Sequence, residues 1–158
     1  MKGFIRDAKF LGEFLRKAGY KIVFTNGCFD IIHRGHVELL KFARSLGDVL
    51  VVGLNDDESV RRLKGKNRPI NTLEDRAFVL LSIRWVDFVV PFSEDTPERI
   101  IREISPDVLV KGGDYRIENI AGADFVLSKG GRVEIFNYLE GYSTTSIIKK
   151  IWEGRSQG

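Results

Sequence analysis

Short β-rich runs alternate with amphipathic helical patterns along almost the whole chain. The β-rich runs fall at residues 22–24, 49–54, 86–90, 108–110 and 133–136. Helical patterns separate them at 37–46, 57–63, 74–83, 97–104, 120–128 and 146–152. A further helical face is set by Phe4, Ala8, Leu11, Phe14, Leu15 and Ala18, with Gly19 as its stop. Thr96-Pro97-Glu98 reads as a helix start, with an N-cap, a first-turn proline and an acid near the positive dipole end. Strands joined through helices must run parallel, and the helices then cover both faces of the sheet.

The chain has 158 residues, so one domain is expected. A chain this long buries about 69% of its unfolded surface, enough for a core without disulfides or a structural metal. The expected fold is α/β: a single Rossmann-like domain with a five-stranded, mainly parallel sheet and helices on both faces. The expected organisation is an N-terminal helical extension over 1–20, a catalytic domain over 21–153 and a disordered tail over 154–158. No apolar stretch is long enough to span a membrane, and the N-terminus lacks the apolar core of a secretory signal. Cys28 is the single cysteine, which excludes an internal disulfide and predicts a reducing, cytoplasmic setting. Net charge is +3, but five basic residues crowd into Arg61-Arg62-Leu63-Lys64-Gly65-Lys66-Asn67-Arg68, and the rest of the chain is mildly acidic. One concentrated patch suits a small, highly charged ligand better than a nucleic acid.

Ligands of open parallel sheets bind at the carboxyl ends of strands, where strand order reverses. The loops at 25–33, 55–57, 112–119 and 137–145 are therefore the ones to inspect. The first strand runs into Thr25-Asn26-Gly27-Cys28-Phe29-Asp30, and the chain's two histidines, His33 and His36, follow. On a helix starting near His33 they share the face of the first turn. Gly35 between them lets a ligand approach the backbone, and the helix N-terminus adds free N–H groups. This points to a phosphate site. The rival readings are structural histidines, a transition-metal site completed by Asp30 and Cys28, and a Cys28 nucleophile with a histidine base. The turn is neither a P-loop nor a G-x-G-x-x-G fingerprint.

The H-x-G-H turn resembles that of the nucleotidyltransferase superfamily, which includes class I aminoacyl-tRNA synthetases and small cytidylyl- and adenylyltransferases. Gly141-Tyr142-Ser143-Thr144-Thr145 is similar to the G-[IY]-S-[ST]-[ST] segment that those enzymes place at the start of their last helix. The runs 26–40, 55–71, 95–97, 111–115 and 141–151 resemble the D-glycero-β-D-manno-heptose 1-phosphate adenylyltransferases, with R-L-K-G-x-x-R-P and V-K-G-G-D-Y the most specific stretches. The resemblance implies transfer of AMP from Mg·ATP to the sugar 1-phosphate, giving ADP-heptose for lipopolysaccharide, by a homodimer. Many relatives carry a fused sugar kinase, so here a separate kinase is expected upstream. The alternatives are a glycerol-3-phosphate cytidylyltransferase, an FAD synthetase or, from another class, a nucleic-acid-binding module.

The resemblance also implies roles. His33, His36, Lys64 and Arg76 would act on the phosphates. Arg76 has a rival reading as a surface ion pair with Asp75 or Glu74. Asn26, Gly27, Cys28, Phe29, Asp30, Gly35, Lys111, Gly112, Asp114, Tyr142, Ser143, Thr144 and Thr145 would line the nucleotide. Asn55, Asp56 and Lys66 would meet the acceptor. Magnesium would ride on the ATP phosphates without direct side-chain ligands, with Asp30 holding either the loop or a metal-bound water. Tyr142 stands where relatives have isoleucine or cysteine. Neither a nucleic acid nor a membrane is expected as a partner.

Overall fold

The structure is a computed structural model that describes residues 1–138 and 140–155. Its sheet contains β1 (Gly3–Phe4), β2 (Ile22–Gly27), β3 (Val49–Asn55), β4 (Phe88–Phe92), β5 (Val108–Gly112) and β6 (Arg132–Phe136), in the order β1-β4-β3-β2-β5-β6. All five neighbouring pairs are parallel. The sheet thus has six strands where five were expected. The extra strand is the two-residue β1, which pairs Gly3 with Phe88 and Phe4 with Val89. Phe4 fits the helical spacing, but Asp7 caps the helix by accepting from the Phe10 N–H, so the helix cannot extend back to Phe4. Two residues have no periodicity to read.

The helices are α1 (Ala8–Lys17), α2 (Arg34–Arg44), α3 (Asp57–Lys64), α4 (Leu73–Ser82), α5 (Glu98–Ile104), α6 (Ala123–Ser128) and α7 (Thr144–Arg155), with a 3-10 turn at Ile117–Asn119. The central strands are apolar on both faces, as a doubly covered parallel sheet requires. Phe24 and Val51 face α1, α5 and α6 through Leu11, Leu15, Ile101, Ile104 and Val126. Val23, Leu50 and Val52 face α2 and α4 through Leu39, Leu40, Ala77 and Leu80. The N-terminal segment is built into this packing. A Cβ on Gly12 would come within 2.6 Å of the Ile104 carbonyl oxygen, so α1 meets α5 backbone to backbone. At the other end α7 includes Gly154 and Arg155, which were expected in the tail. Residues 156–158 lie outside the described residues.

From β2 the chain steps outward through β3 to β4, then crosses back to place β5 on the other side of β2. The strand order therefore reverses between β2 and β5. A crevice opens at their carboxyl ends, where Asn26-Gly27 and Lys111-Gly112 emerge.

Candidate active site

The crevice is a cleft of about 600 Å³, and its walls come from loops far apart in sequence. One wall is the start of α2. His33 adopts an extended backbone (φ −136, ψ 175) and caps the helix, its Nδ1 accepting the Gly35 N–H at 3.1 Å. His36 closes the exchange, its Nδ1 accepting the His33 N–H at 3.3 Å. Two histidines thus build a capping box usually made by Ser or Thr with Glu. Their rings stack with centroids 3.8 Å apart. With both Nδ1 atoms accepting, each neutral ring carries its proton on Nε2.

Burial pushes the His33 pKa down. It pushes His36 down to about 4, with the neighbouring His33 adding to the effect. Near neutral pH the pair therefore supplies two uncharged donors. Phe29 supports His36 with its ring 5.2 Å away, from a backbone at φ 45 that a non-glycine residue rarely adopts. Gly35 is required sterically: a Cβ there would lie 2.9 Å from the His33 ring and 3.3 Å from the Tyr142 Cβ.

That last contact brings in α7. Thr144 Oγ1 donates to the Ile31 carbonyl at 3.1 Å, which fastens the start of α7 to the histidine loop. Ser143 Oγ accepts the Ser146 N–H at 3.0 Å, capping the helix. Tyr142 sits under the Arg34 guanidinium, 6.0 Å from the ring centre. Two helix N-termini, those of α2 and α7, consequently border one cleft, a favourable place for anions.

A second wall is cationic. Lys64 ends α3 and precedes Gly65, whose φ of 101 suits only glycine. Lys111 is the penultimate residue of β5, and burial lowers its pKa. Its ammonium lies 5.3 Å from the Tyr115 ring centre. Gly112 leaves room for the Tyr138 hydroxyl, with which a Cβ would collide. Cys28 lies among these cations, and its Sγ donates to Asn55 Oδ1 at 3.8 Å. Burial raises the thiol pKa despite Lys64, Arg76 and Arg68, so the sulfur stays protonated and is a poor nucleophile.

Two expected site residues turn out to be scaffold. Asp30 is 4% exposed. Its carboxylate accepts from Arg68 Nε at 2.6 Å and from the N–H groups of Ile70 and Asn71, while its carbonyl accepts from Asn71 Nδ2. Burial raises its pKa, but the Asn71 and Ile70 N–H groups and Arg68 outweigh that and hold the carboxyl below its usual value. Asp30 therefore holds the loop, and its oxygens are already occupied. Arg76 is 1% exposed. It donates to the carbonyls of Asn71, Cys28 and Asn55 and to Asp57 Oδ1 at 2.7 Å. Neither Asp75 nor Glu74 is its partner. Its dipole-disfavoured place near the start of α4 is offset by these acceptors, which tie the ends of β2 and β3 together.

Asn26, Gly27, Cys28, Phe29, Asp30, Asn55, Gly112, Thr145 and the residues of both walls line the cleft. Gly35, Asp56, Lys66, Arg76 and Asp114 are not among the described residues that line it. Asp56 instead caps α3 through the Ser59 N–H at 2.8 Å. Arg68, Tyr115 and Tyr138 line the cleft without having been singled out from sequence. Arg68 had a signal in the basic segment and Tyr115 in the V-K-G-G-D-Y run. Tyr138 had none. Among the described residues there is no group of three His, Cys, Asp or Glu side chains placed to hold a metal ion.

Aimed neutral donors and cations lining one cleft, with no activated nucleophile among them, equip a protein to move a nucleotidyl group between phosphates. The chain is a nucleotidyltransferase. It belongs to the cytidylyltransferase-like family, whose model matches residues 24–150. The bifunctional protein HldE of Actinobacillus pleuropneumoniae is 58% identical over 139 residues, 88% of this chain and 29% of that protein. HldE of Haemophilus influenzae is 54% identical over 151 residues, 96% of this chain and 30% of that protein. The chain thus spans less than a third of the length of these relatives. The lipopolysaccharide core biosynthesis protein from Thermoplasma volcanium GSS1 superposes with a TM-score of 0.62 at 27% identity, covering 79% of this chain and all of that one. Pantothenate synthetase from Thermus thermophilus, at 17% identity and a TM-score of 0.58 over 85% of this chain and 60% of that one, shares the fold.

Proposed function

We propose that the chain transfers AMP from Mg·ATP to D-glycero-β-D-manno-heptose 1-phosphate, forming ADP-heptose and pyrophosphate. The observation that carries this reading is the pair of neutral Nε2 donors set against a cationic wall in one cleft. The choice of base and acceptor rests on the R-L-K-G-x-x-R-P and V-K-G-G-D-Y resemblance, and on similarity to a lipopolysaccharide core biosynthesis protein.

An oxygen of the sugar phosphate forms a bond to the α-phosphorus of ATP. The bond from that phosphorus to the bridging oxygen breaks, and pyrophosphate leaves with the electron pair. The nucleophile is already an anion, so no general base is needed. Catalysis is positioning and charge stabilisation. His33 and His36 donate to the phosphates as charge moves to the leaving group, and the α7 N-terminus with Ser143, Thr144 and Thr145 holds the tail of the triphosphate. Lys64 closes over the reacting phosphate from its glycine hinge. Arg76 acts as a positioning residue behind the site loop. The divalent metal arrives on the triphosphate. The acceptor's anomeric phosphate calls for a sugar kinase acting upstream. The exposed apolar side chains of Phe78 and Ile151 suit the homodimer that the resemblance implies.

A pyrophosphate-release screen of ATP and CTP against heptose 1-phosphate and glycerol 3-phosphate tests this. ATP with the heptose is expected to be turned over fastest. Faster turnover of CTP with glycerol 3-phosphate would replace this reading with that of a glycerol-3-phosphate cytidylyltransferase.

A further inference from the structure

Arg68 belongs to the basic segment but is held unlike its neighbours. Its side chain is 14% exposed, and its Nε pairs with an Asp30 side chain that is 0% exposed. Asp30 is itself fixed by the Ile70 and Asn71 N–H groups, so it cannot rotate away and it sets the plane of the guanidinium. Among the described residues the Arg68 side chain makes no other hydrogen bond or ion pair. The four N–H donors on its terminal nitrogens are therefore unused. Arg68 also lines the cleft. A partly buried guanidinium with one edge clamped and the other unbonded beside a cleft is already oriented for a tetrahedral anion.

The two walls indicate which anion. The imidazoles stand at the first turn of α2, which Thr144 fastens to the start of α7, whereas Lys64, Arg68 and Lys111 come from the end of α3, the loop after it and β5. The cations and the imidazoles thus enter the cleft from different elements. In phosphoryl transfer the attacking and leaving oxygens lie roughly in line. If pyrophosphate departs along the imidazoles and the α7 N-terminus, the nucleophile must come from the side of Arg68, Lys64 and Lys111.

We propose that Arg68, clamped by Asp30, is a ligand of the acceptor's phosphate, gripping it with its terminal nitrogens from the cationic wall. This rests on the function proposed above for the identity of the acceptor, but the phosphate subsite itself can be tested without it.

Arg68→Lys separates binding from scaffolding. One ammonium can pair with Asp30 or with phosphate, but its geometry cannot reproduce a fork that does both. The thermal midpoint should therefore stay close to that of the parent protein. The KM for heptose 1-phosphate should rise about 10- to 100-fold, the cost of a charge-assisted hydrogen bond. The KM for ATP should move by less than about twofold. Arg68→Gln serves as the second variant, with the same expected split in KM but a lowered thermal midpoint, because the buried Asp30 carboxylate loses its ion-pair partner.

Cys28, the single cysteine, supplies an independent readout. Inorganic phosphate should slow its labelling by a maleimide at pH 8.5, and about tenfold more phosphate should be needed in either variant. Equal acceptor KM and equal protection in parent and variants would overturn the subsite. So would a parallel rise in both KM values, or a lowered thermal midpoint with kinetics unchanged. Arg68-dependent protection by phosphate, with no ADP-heptose formed by the parent protein, would uphold the subsite and remove the proposed function. Unimpaired ADP-heptose formation by Arg68→Lys would do the reverse.

Discussion

His33 and His36 enter the cleft as neutral rings aimed by backbone hydrogen bonds, whereas Lys64, Arg68 and Lys111 enter it as cations on long side chains. The imidazole wall is built within four consecutive residues, at the first turn of α2. The cationic wall is assembled from the end of α3, the loop after it and the end of β5. Neutral donors need orientation to be useful, and a helix start provides it locally. Charges act over a longer range, so they tolerate assembly from distant elements, provided a scaffold keeps those elements together. Arg76 and Asp30 are that scaffold, and both are spent on protein partners.

The largest effect should come from breaking what both walls share. Arg76→Met leaves Asp57 without its ion-pair partner and strands the carbonyls of Cys28, Asn55 and Asn71, so it should destabilise the fold by about 3–5 kcal/mol. Arg62→Met, which breaks the exposed pair with Asp95, should cost no more than about 1 kcal/mol. Denaturant unfolding of both variants checks the contrast, and equal losses would contradict the scaffold role of Arg76.

The next effect falls on the imidazole wall alone. Removing either Nε2 donor should lower kcat by about 10²–10³-fold, with a smaller change in KM. The two losses should be less than additive because the stacked rings serve one phosphate region. His33 also caps α2, so His33→Ala should lose about 1 kcal/mol of stability besides, while His33→Asn keeps a capping acceptor and loses only the outward donor. If His33→Asn restored kcat along with stability, the ring would be a cap and nothing more.

A further effect distinguishes the walls by pH. The unfolded chain protonates His36 near 6.5, whereas the folded chain resists protonation down to about 4. Between these values the unfolded state binds more protons, so stability should fall as pH falls, by up to about 1.4 kcal/mol per pH unit. A protonated ring would also lose the Nδ1 lone pair that accepts the backbone N–H. Asp30, held below its usual pKa, loses its contribution at still lower pH, in the same direction. Urea unfolding of His36→Gln from pH 7 to pH 4 should show a shallower decline than the parent chain. An equal slope would place the proton uptake elsewhere.

The alternation of apolar runs and helical patterns was enough to specify a parallel sheet covered on both faces, because strand and helix periods are local properties of the chain. The histidine turn and the Ser143–Thr145 segment were legible for the same reason: a helix start is written in consecutive residues. β1 escaped because two residues carry no period, and only the edge of β4 makes them a strand. Asp30 and Arg76 look like site residues in sequence, since a buried carboxylate or guanidinium is unfavourable without partners. Those partners stand 38 residues away for Asp30 and 19 to 48 away for the Asp57 and Cys28 contacts of Arg76. Lys64 had to fold back beside Lys111, and Tyr138 beside Gly112, before either could belong to the cleft. Residue types and their spacing determined the sheet and the donors. Which charges remain free for a ligand and which are consumed by the protein was decided only when the pairing of β2 with β3 and the return of residues 65–76 brought distant segments together, because ion pairing depends on distance in space.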